Sequence, residues 1–364
     1  MKKLTKIIVG VAFMSVVLVT ACASESGAES QQGKFVNSEI KYKPSLSNIW
    51  QIIKQQVSAK RSEPTPVNDI PLKMLSRAEL DSSNEDAIYR LGHSTILMRL
   101  NGQYVLADPV FSERASPVQW AGPKRFHPTP ISIDELPEIK VVVISHDHYD
   151  HLDKAAIKQL ADKVEYFVTP LKVGDYLQEW GVDASKITQL DWWQSIEIDD
   201  LKLVATPAQH FSGRGLFDRD ESLWASWVIQ SEQYNLFFSG DGGYFNGFKE
   251  IGERYGPFDV TMIETGAYND LWSDIHMLPE QSMQAHLDLK GKAMMPIHNG
   301  TFDLSLHDWY EPFERISELA GQNGVELLTP IFGDNVTLSN PVSNYAWWKD
   351  VASNEELRLV LEQN

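Results

Sequence analysis

Residues 141–153, VVVISHDHYDHLD, hold three histidines and three aspartates straight after four aliphatic side chains. Imidazole and carboxylate groups are ligands for zinc, iron or manganese. If the chain stays extended beyond Ile144, positions 146, 148 and 150 project to one side, and His151 turns the other way, toward a neighbouring ion. One short segment does not close two coordination shells by itself. The same grammar recurs downstream: LKLVATPAQH ends in His210, YNLFFSGDGG carries Asp241, and KAMMPIH ends in His298. Alone, a histidine beyond a strand is usually a surface or satisfied residue, and Asp241 in a Gly-rich stretch reads as a turn. His146, His148, Asp150, His151, His210, Asp241 and His298 together, each after an apolar run, point to a metal centre at one edge of a sheet.

The elements that must position these residues are legible as short apolar runs. KVVVI is β-branched and reads as a buried strand. TILMRLNGQYVLADP reads as two strands joined by a tight Asn101-Gly102 turn. Further strands are expected over 140–145, 164–169, 201–206, 224–229, 234–239, 258–263, 293–297 and 325–329. Helices are expected over 153–162, 171–180, 247–255, 279–290 and 310–322. Intermixed strands and helices with hairpins among them argue for an α/β domain, placed at 86–340. An N-terminal extension over 35–85 carries one helix-like stretch, 48–57, and is broken by the three prolines of SEPTPVNDIP, which reads as loosely packed. Residues 341–364 are expected to form a C-terminal helical tail.

The 364-residue chain has a formal net charge of -18, which argues against nucleic acid as a partner. Its N-terminus is different: Lys2, Lys3 and Lys6 precede an apolar run from Ile7 to Thr20, and LVTAC ends at Cys22, the only cysteine. A basic start, an apolar stretch of this length and small residues before a cysteine describe an export signal. This signal resembles a bacterial lipoprotein lipobox, which implies removal of residues 1–21, lipidation of Cys22 and a flexible tether over 22–34. Cleavage removes three lysines and takes the net charge from -18 to -21. With no other cysteine, the mature fold holds no disulfide and no thiolate metal site. The expected place is the bacterial envelope; Ala23, rather than Asp, after Cys22 favours the outer membrane.

At its metal-seeking residues the chain resembles the metallo-β-lactamase superfamily, whose H-x-H-x-D-H signature stands here as His146 to His151. Within it, the chain looks most similar to the N-acylphosphatidylethanolamine-hydrolysing phospholipase D group. That likeness rests on DPVFSERASPVQWAGPKRF (108–126), LDWW (190–193), TPAQH (206–210), GDGGY (240–244), EIGERYGPFD (250–259), GAY (266–268) and IHNGTF (297–302). The resemblance implies a four-layer αββα sandwich with two zinc ions, iron or manganese being alternatives. It implies that His146, His148 and His210 hold one ion, that Asp150, His151 and His298 hold the other, and that Asp241 bridges them. Three departures lie beside the presumed site and bear on the substrate: Gly242 where the group has Thr, Asn299 where it has Trp, and a shortened NDLWSDIHMLPE segment that brings His276 to the matching point.

Two ions side by side lower the pKa of a shared water toward neutrality, and one of them polarises the oxygen that gathers charge. Asp150 and Asp241 are expected to orient the nucleophile. His276 is a candidate for contacting the substrate oxyanion or protonating the leaving group, or else an ordinary residue before a helix; His93 orients a ligand or packs in the core. Arg114, Lys124 and Arg125 either meet a phosphate or form a solvated loop, and His127, His286 and His307 read as structural or exposed. Trp192, Trp193, Trp224 and Trp227 read as core rather than lipid pocket. The expected activity is hydrolysis of a phosphodiester, with a phospholipid or another small molecule as substrate. The rival readings are a lactonase or amide hydrolase on the same centre, and a non-catalytic metal-binding envelope lipoprotein.

Overall fold

The computed structural model describes residues 18–20, 27–28, 30–31, 33–40, 51, 54, 61–343 and 345–353. The apolar run over 7–17, Cys22, most of the 48–57 stretch and the tail beyond 353 lie outside the described residues. Two mixed sheets face each other. One runs, in spatial order, Asn335–Thr337, Ala87–Gly92, Thr95–Leu100, Gln103–Ala107, Ile139–Val143, Val164–Pro170 and Ile187–Leu190. The other runs Leu18–Thr20, Ser195–Ile198, Leu201–Thr206, Ser226–Gln230, Asn235–Phe238, Phe258–Glu264, Gly291–Ile297 and Glu326–Leu327. Leu18–Thr20, inside the expected export signal, pairs here as an edge strand with Ser195–Glu197.

Alternation along each strand explains the layering. Val141 and Val143 point to the inter-sheet core, where they share a cluster with Leu203, Ala205, Val260, Met262, Met295 and Ile297 of the opposite sheet. Val142 and Ile144 point outward and are covered by Ile157, Leu160, Val173 and Leu177 from the helices Lys154–Leu160 and Val173–Glu179. The second sheet turns Val204, Ile263 and Met294 outward, against Phe248, Ile251, Met283 and Ile316 from the helices Gly247–Arg254, Pro279–Asp288 and Glu311–Asn323. Helix, sheet, sheet, helix is the expected αββα order. Each fully buried aliphatic side chain contributes about 1.5–3 kcal/mol. Trp192, Trp224 and Trp227 are in the inter-sheet core, with Trp227 Nε1 donating to Ile144 O at 3.0 Å.

The Asn-Gly turn is as expected, with both residues at positive φ, 49° and 76°. The strand expected over 325–329 shrinks to Glu326–Leu327, at the sheet edge where it has one neighbour. Loose packing of the N-terminal extension is not what the structure shows between 61 and 85. Ile70, Leu75 and Leu80 are buried, and the buried carboxylate of Glu63 accepts from Trp309 Nε1 at 3.0 Å and Ser353 N at 2.9 Å. The prolines break regular structure there without freeing the chain, because this one acid ties both ends of the domain together.

All strands that end at the metal-seeking residues point the same way. Asn235–Phe238, Phe258–Glu264 and Gly291–Ile297 are parallel, and Leu201–Thr206 joins their direction through two antiparallel steps. Ala87–Gly92 reaches the direction of Gln103–Ala107 and Ile139–Val143 in the same manner. One rim therefore receives the C-terminal ends of seven strands. On the outer side of the second sheet, well away from that rim, His286 is buried and its Nδ1 lies 2.7 Å from Thr261 Oγ1. Burial pushes its pKa down to about 4. The unfolded chain binds this proton below about pH 6.5 while the folded chain refuses it until about pH 4. The stability it contributes is thus complete above pH 6.5 and drains away as pH falls to 4, by up to about 1.4 kcal/mol per unit. His286→Asn, which keeps an acceptor for Thr261, is expected to lose less melting temperature than the wild type between pH 6.5 and 4.5; parallel melting curves would refute this.

Candidate metal centre

The H-x-H-x-D-H loop leaves its strand at Val143 and is pinned from below by Asp108, which follows the neighbouring strand. Asp108 is fully buried and accepts from Ser145 N at 2.7 Å, from Ser145 Oγ at 2.6 Å and from His151 Nδ1 at 2.7 Å. Ser145 Oγ in turn lies 2.9 Å from His146 Nδ1. One carboxylate thus fixes the rings of His146 and His151 with their Nε2 atoms turned into the rim. His210 is fixed separately, its Nδ1 donating to Ile275 O at 2.9 Å. Asp147, the other acid of the motif, faces away: it accepts from Gly213 N and Ser222 Oγ, each at 2.8 Å, and anchors the loop over 211–222.

The seven residues expected from sequence converge. His146 Nε2 and His210 Nε2 lie 2.9 and 3.3 Å from His148 Nδ1. Asp150 Oδ2 lies 3.2 Å from His298 Nε2 and 3.6 Å from His151 Nε2. The carboxylate of Asp241 sits between the two sets: Oδ1 is 3.1 Å from His151 Nε2, while Oδ2 is 3.0 Å from His298 Nε2, 3.9 Å from His146 Nε2 and 4.0 Å from His210 Nε2. Ligand atoms around a tetrahedral ion with bonds of about 2.0–2.1 Å are spaced by about 3.3 Å.

Protonation decides what such a cluster can do. With Nδ1–H spent on the Asp108 carboxylate, His151 presents a lone pair at Nε2, directly facing the carboxylate oxygen Asp241 Oδ1. Both atoms are buried and neither has a hydrogen bond. Two acceptors held face to face in a dry interior repel and are costly. A cation between them removes the cost, and five imidazoles with two carboxylates and no thiolate form a donor set for zinc, iron or manganese. The residues present therefore fit two ions: His146, His148 and His210 can hold one, and Asp150, His151 and His298 the other, with Asp241 reaching both.

Three more residues complete the centre. His93, for which the sequence left two readings open, is buried with its Nε2 3.1 Å from Asp150 Oδ2, so it is placed to orient that carboxylate. His276 opens onto the cluster, its ring centroid 5.2 Å from that of His210 and 5.6 Å from that of His298. Its Nδ1 is hydrogen-bonded to Glu264 Oε1, and Glu264 Oε2 accepts from Gly242 N at 2.7 Å. Burial raises the pKa of Glu264. Glu264 and Asp108 were missed in the sequence as site residues; each is the acid at or just after the end of an apolar strand, and Asp108 also opens the run DPVFSERASPVQWAGPKRF. Backbone strain marks the same rim: His93, Asp108 and His298 all have φ between 40° and 64°.

Two sequence expectations are corrected. Asn299 does not face the substrate side; its amide donates to Thr265 O and Ile297 O and its carbonyl accepts from the buried Arg90, which is sandwiched by Phe313 and Phe332. Arg125 is not available to a phosphate: it is buried, donates to Ser112 O and Val110 O, and lies over Phe302. Arg114 donates to Gly122 O, and Lys124 is exposed beside Glu113. His127 and His286 are buried, and His127 stacks on Phe332.

The Beta-lactamase superfamily domain matches residues 103–299, more than half of the chain and every one of the seven converging residues. The chain belongs to the metallo-β-lactamase superfamily. Among relatives, an uncharacterised protein of Mycobacterium tuberculosis is 40% identical over 336 residues, covering 90% of this chain and 88% of that protein. The N-acyl-phosphatidylethanolamine-hydrolyzing phospholipase D 1 of Caenorhabditis elegans is 33% identical over 294 residues, 76% of this chain and 82% of the worm enzyme. The solved structure of Igni18, a metallo hydrolase from Ignicoccus hospitalis, superposes with a TM-score of 0.53 at 18% identity, over 70% of this chain and 98% of that one, and shares the fold. Within the metallo-β-lactamase superfamily the chain is a metal-dependent hydrolase near the N-acylphosphatidylethanolamine-hydrolysing phospholipase D group.

Proposed function

We propose that the chain is a two-zinc phosphodiesterase of the phospholipase D type, acting on N-acylphosphatidylethanolamine-like phospholipids from the bacterial envelope, where lipidated Cys22 holds it, in the outer membrane where the cell has one. The observation that carries the two-metal reading is the Asp241 carboxylate, set within 4.0 Å of ligand nitrogens from both histidine groups. The choice of substrate rests on the kinship with the worm phospholipase D. When bound, the ions supply Lewis acidity and a water acidic enough to deprotonate near neutral pH.

The chain's own residues do the rest. Asp150 and Asp241 bring two carboxylates to the cluster. They are placed to accept hydrogen bonds from the attacking water. Attack at phosphorus breaks the bond to the N-acylethanolamine oxygen, which takes a proton and leaves; phosphatidic acid is the other product. His276, hydrogen-bonded at Nδ1 to Glu264, presents Nε2 on the open side and is positioned to give that proton. His148, Asp150 and His276 reach solvent, with 15% of the side chain exposed for Asp150 and for His276, so this centre differs from a closed structural site.

The test is metal analysis of the purified chain together with panels of phosphodiesters and lactones. Two zinc ions per chain and turnover of N-acylphosphatidylethanolamine are expected; turnover of lactones alone would replace the phosphodiesterase with the lactonase reading. The anchor is checked separately: Cys22→Ser should move the protein from the membrane fraction to the soluble one.

A further inference from the structure

Three large apolar side chains stand further out of the protein than any others among the described residues: Leu216 is 91% exposed, Phe217 88% and Trp120 83%. Leu216 and Phe217 form the tip of the loop over 211–222; Trp120 tips the loop over 112–124. The two loops are neighbours, since Gln119 and Arg114 of one and Arg214 of the other line the same groove, about 570 Å³ in volume. They also border the metal centre. Phe211, at the base of its loop, packs its ring 4.6 Å from that of His148 and 4.8 Å from that of His210. Arg214 lies over Tyr149, which stands between His148 and Asp150 in the chain.

These tips are held out rather than left loose. Arg214 Nη1 donates to Leu152 O at 2.8 Å and to Asp147 O. Asp218 accepts from Gly215 N at 2.8 Å and from Arg214 N at 3.0 Å, and Asp147 holds Gly213 and Ser222. Arg114 donates to Gly122 O at 2.6 Å, closing the second loop below Trp120. A rigid scaffold that keeps Leu, Phe and Trp in water leaves an apolar surface waiting for cover. The charge beneath tells what covers it. The groove is lined by four cations, Arg114, Lys154, Lys158 and Arg214, against two carboxylates. One of those, Asp153, is buried and spent on the backbone N–H groups of Phe111, Ser112, Ala155 and Ala156; the other is Glu179. On a chain of net charge -18 this is a local reversal of sign.

We infer that the tips Trp120 and Leu216–Phe217 insert into a bilayer carrying anionic headgroups, with the basic groove between them facing the headgroup layer, so that the rim of the metal centre meets the membrane directly. Aromatic and aliphatic tips above cations match the layering of a membrane interface, apolar below and anionic at the surface. The contact is independent of the Cys22 anchor and of which bond the centre cleaves.

The experiment reads the loop itself. In the full chain, Cys22→Ser removes the only cysteine, and Phe217→Cys then gives a single position for an environment-sensitive fluorophore. Gln322→Cys, on the exposed side of the helix Glu311–Asn323, is the control. With vesicles of phosphatidylethanolamine and phosphatidylglycerol, quenching by a spin-labelled acyl chain is expected to be about fivefold or more stronger at 217 than at 322. It should weaken in phosphatidylcholine alone and at high salt. Trp120→Ser with Leu216→Ser should lower it about tenfold without moving the melting temperature, because both side chains are exposed. Equal quenching at 217 and 322, or no effect of the two serine substitutions, overturns the inference. So does a label at 217 shielded in the absence of vesicles as protein concentration rises, which assigns the surface to a second copy of the chain.

Discussion

Asp241→Asn is expected to leave one zinc ion or fewer per chain and to lower turnover by at least about 10³-fold. The reason is geometric and electrostatic together. Its two carboxylate oxygens lie 3.0 to 4.0 Å from the Nε2 atoms of His146, His151, His210 and His298, so one side chain serves both histidine groups. An amide is isosteric but neutral, and its NH₂ end cannot ligate a cation. Loss of the charge also leaves His151 Nε2 facing a neutral oxygen or a donor in a fully buried site. Asp147→Asn is the matched control, three residues before Asp150 in the same motif. Its carboxylate accepts from Gly213 N and Ser222 Oγ and touches no converging nitrogen, so that substitution should cost about 1–2 kcal/mol of stability and keep the metal. Metal analysis and steady-state rates on both variants give the answer. Two ions retained in Asp241→Asn at near wild-type rate would remove the bridge from the centre.

The contrast between Asp147 and Asp150 also measures what could be read from the chain. Spacing in H-x-H-x-D-H pointed to Asp150 as the acid that joins the histidines, but the extended backbone expected there is not what the structure shows. Residues 147–151 turn, His151 N donates to His148 O at 3.1 Å, and Asp150 falls in with His151 rather than with His146 and His148. The strands before His146, His210, Asp241 and His298 were legible as apolar runs, and the Asn101-Gly102 turn as a turn, because those signals are local. Glu264 and Asp108 were not legible. A lone acid at the end of an apolar run looks like any turn residue, and only the common direction of seven strands brings these two under the cluster. Ile187–Leu190 and Ser195–Ile198 escaped for a different reason: four residues each, with Gln and Glu among them, carry too little periodicity. Arg125 and Asn299 misled because their types suggest contact with substrate. Tertiary partners decide, and here Val110 O, Ser112 O and Arg90 had claimed them.

Glu264 is where the structure adds most to the chemistry, and the expected result is a split by leaving group. His276 bonds through Nδ1 to Glu264 Oε1, whose other oxygen is tied to Gly242 N beside Asp241. That arrangement fixes the imidazole as an Nδ1–H donor and leaves Nε2 as the only edge able to face a departing oxygen. Burial alone would lower the pKa of His276, but Glu264 outweighs it and lifts it, favouring the proton-bearing form. An alkoxide such as that of an N-acylethanolamine needs a proton as it leaves; p-nitrophenolate does not. His276→Gln should therefore slow hydrolysis of alkyl phosphodiesters by about 10²–10⁴-fold and of p-nitrophenyl phosphodiesters by less than about tenfold. Glu264→Gln should follow the same order with a smaller loss, since the imidazole remains but loses the charge that holds it. Both variants should keep their metal, because neither residue is among the seven converging residues expected to hold it. If both substrates slow equally and the metal content falls, the pair is holding an ion in place rather than handling the leaving group's proton, and the role assigned to His276 goes with it.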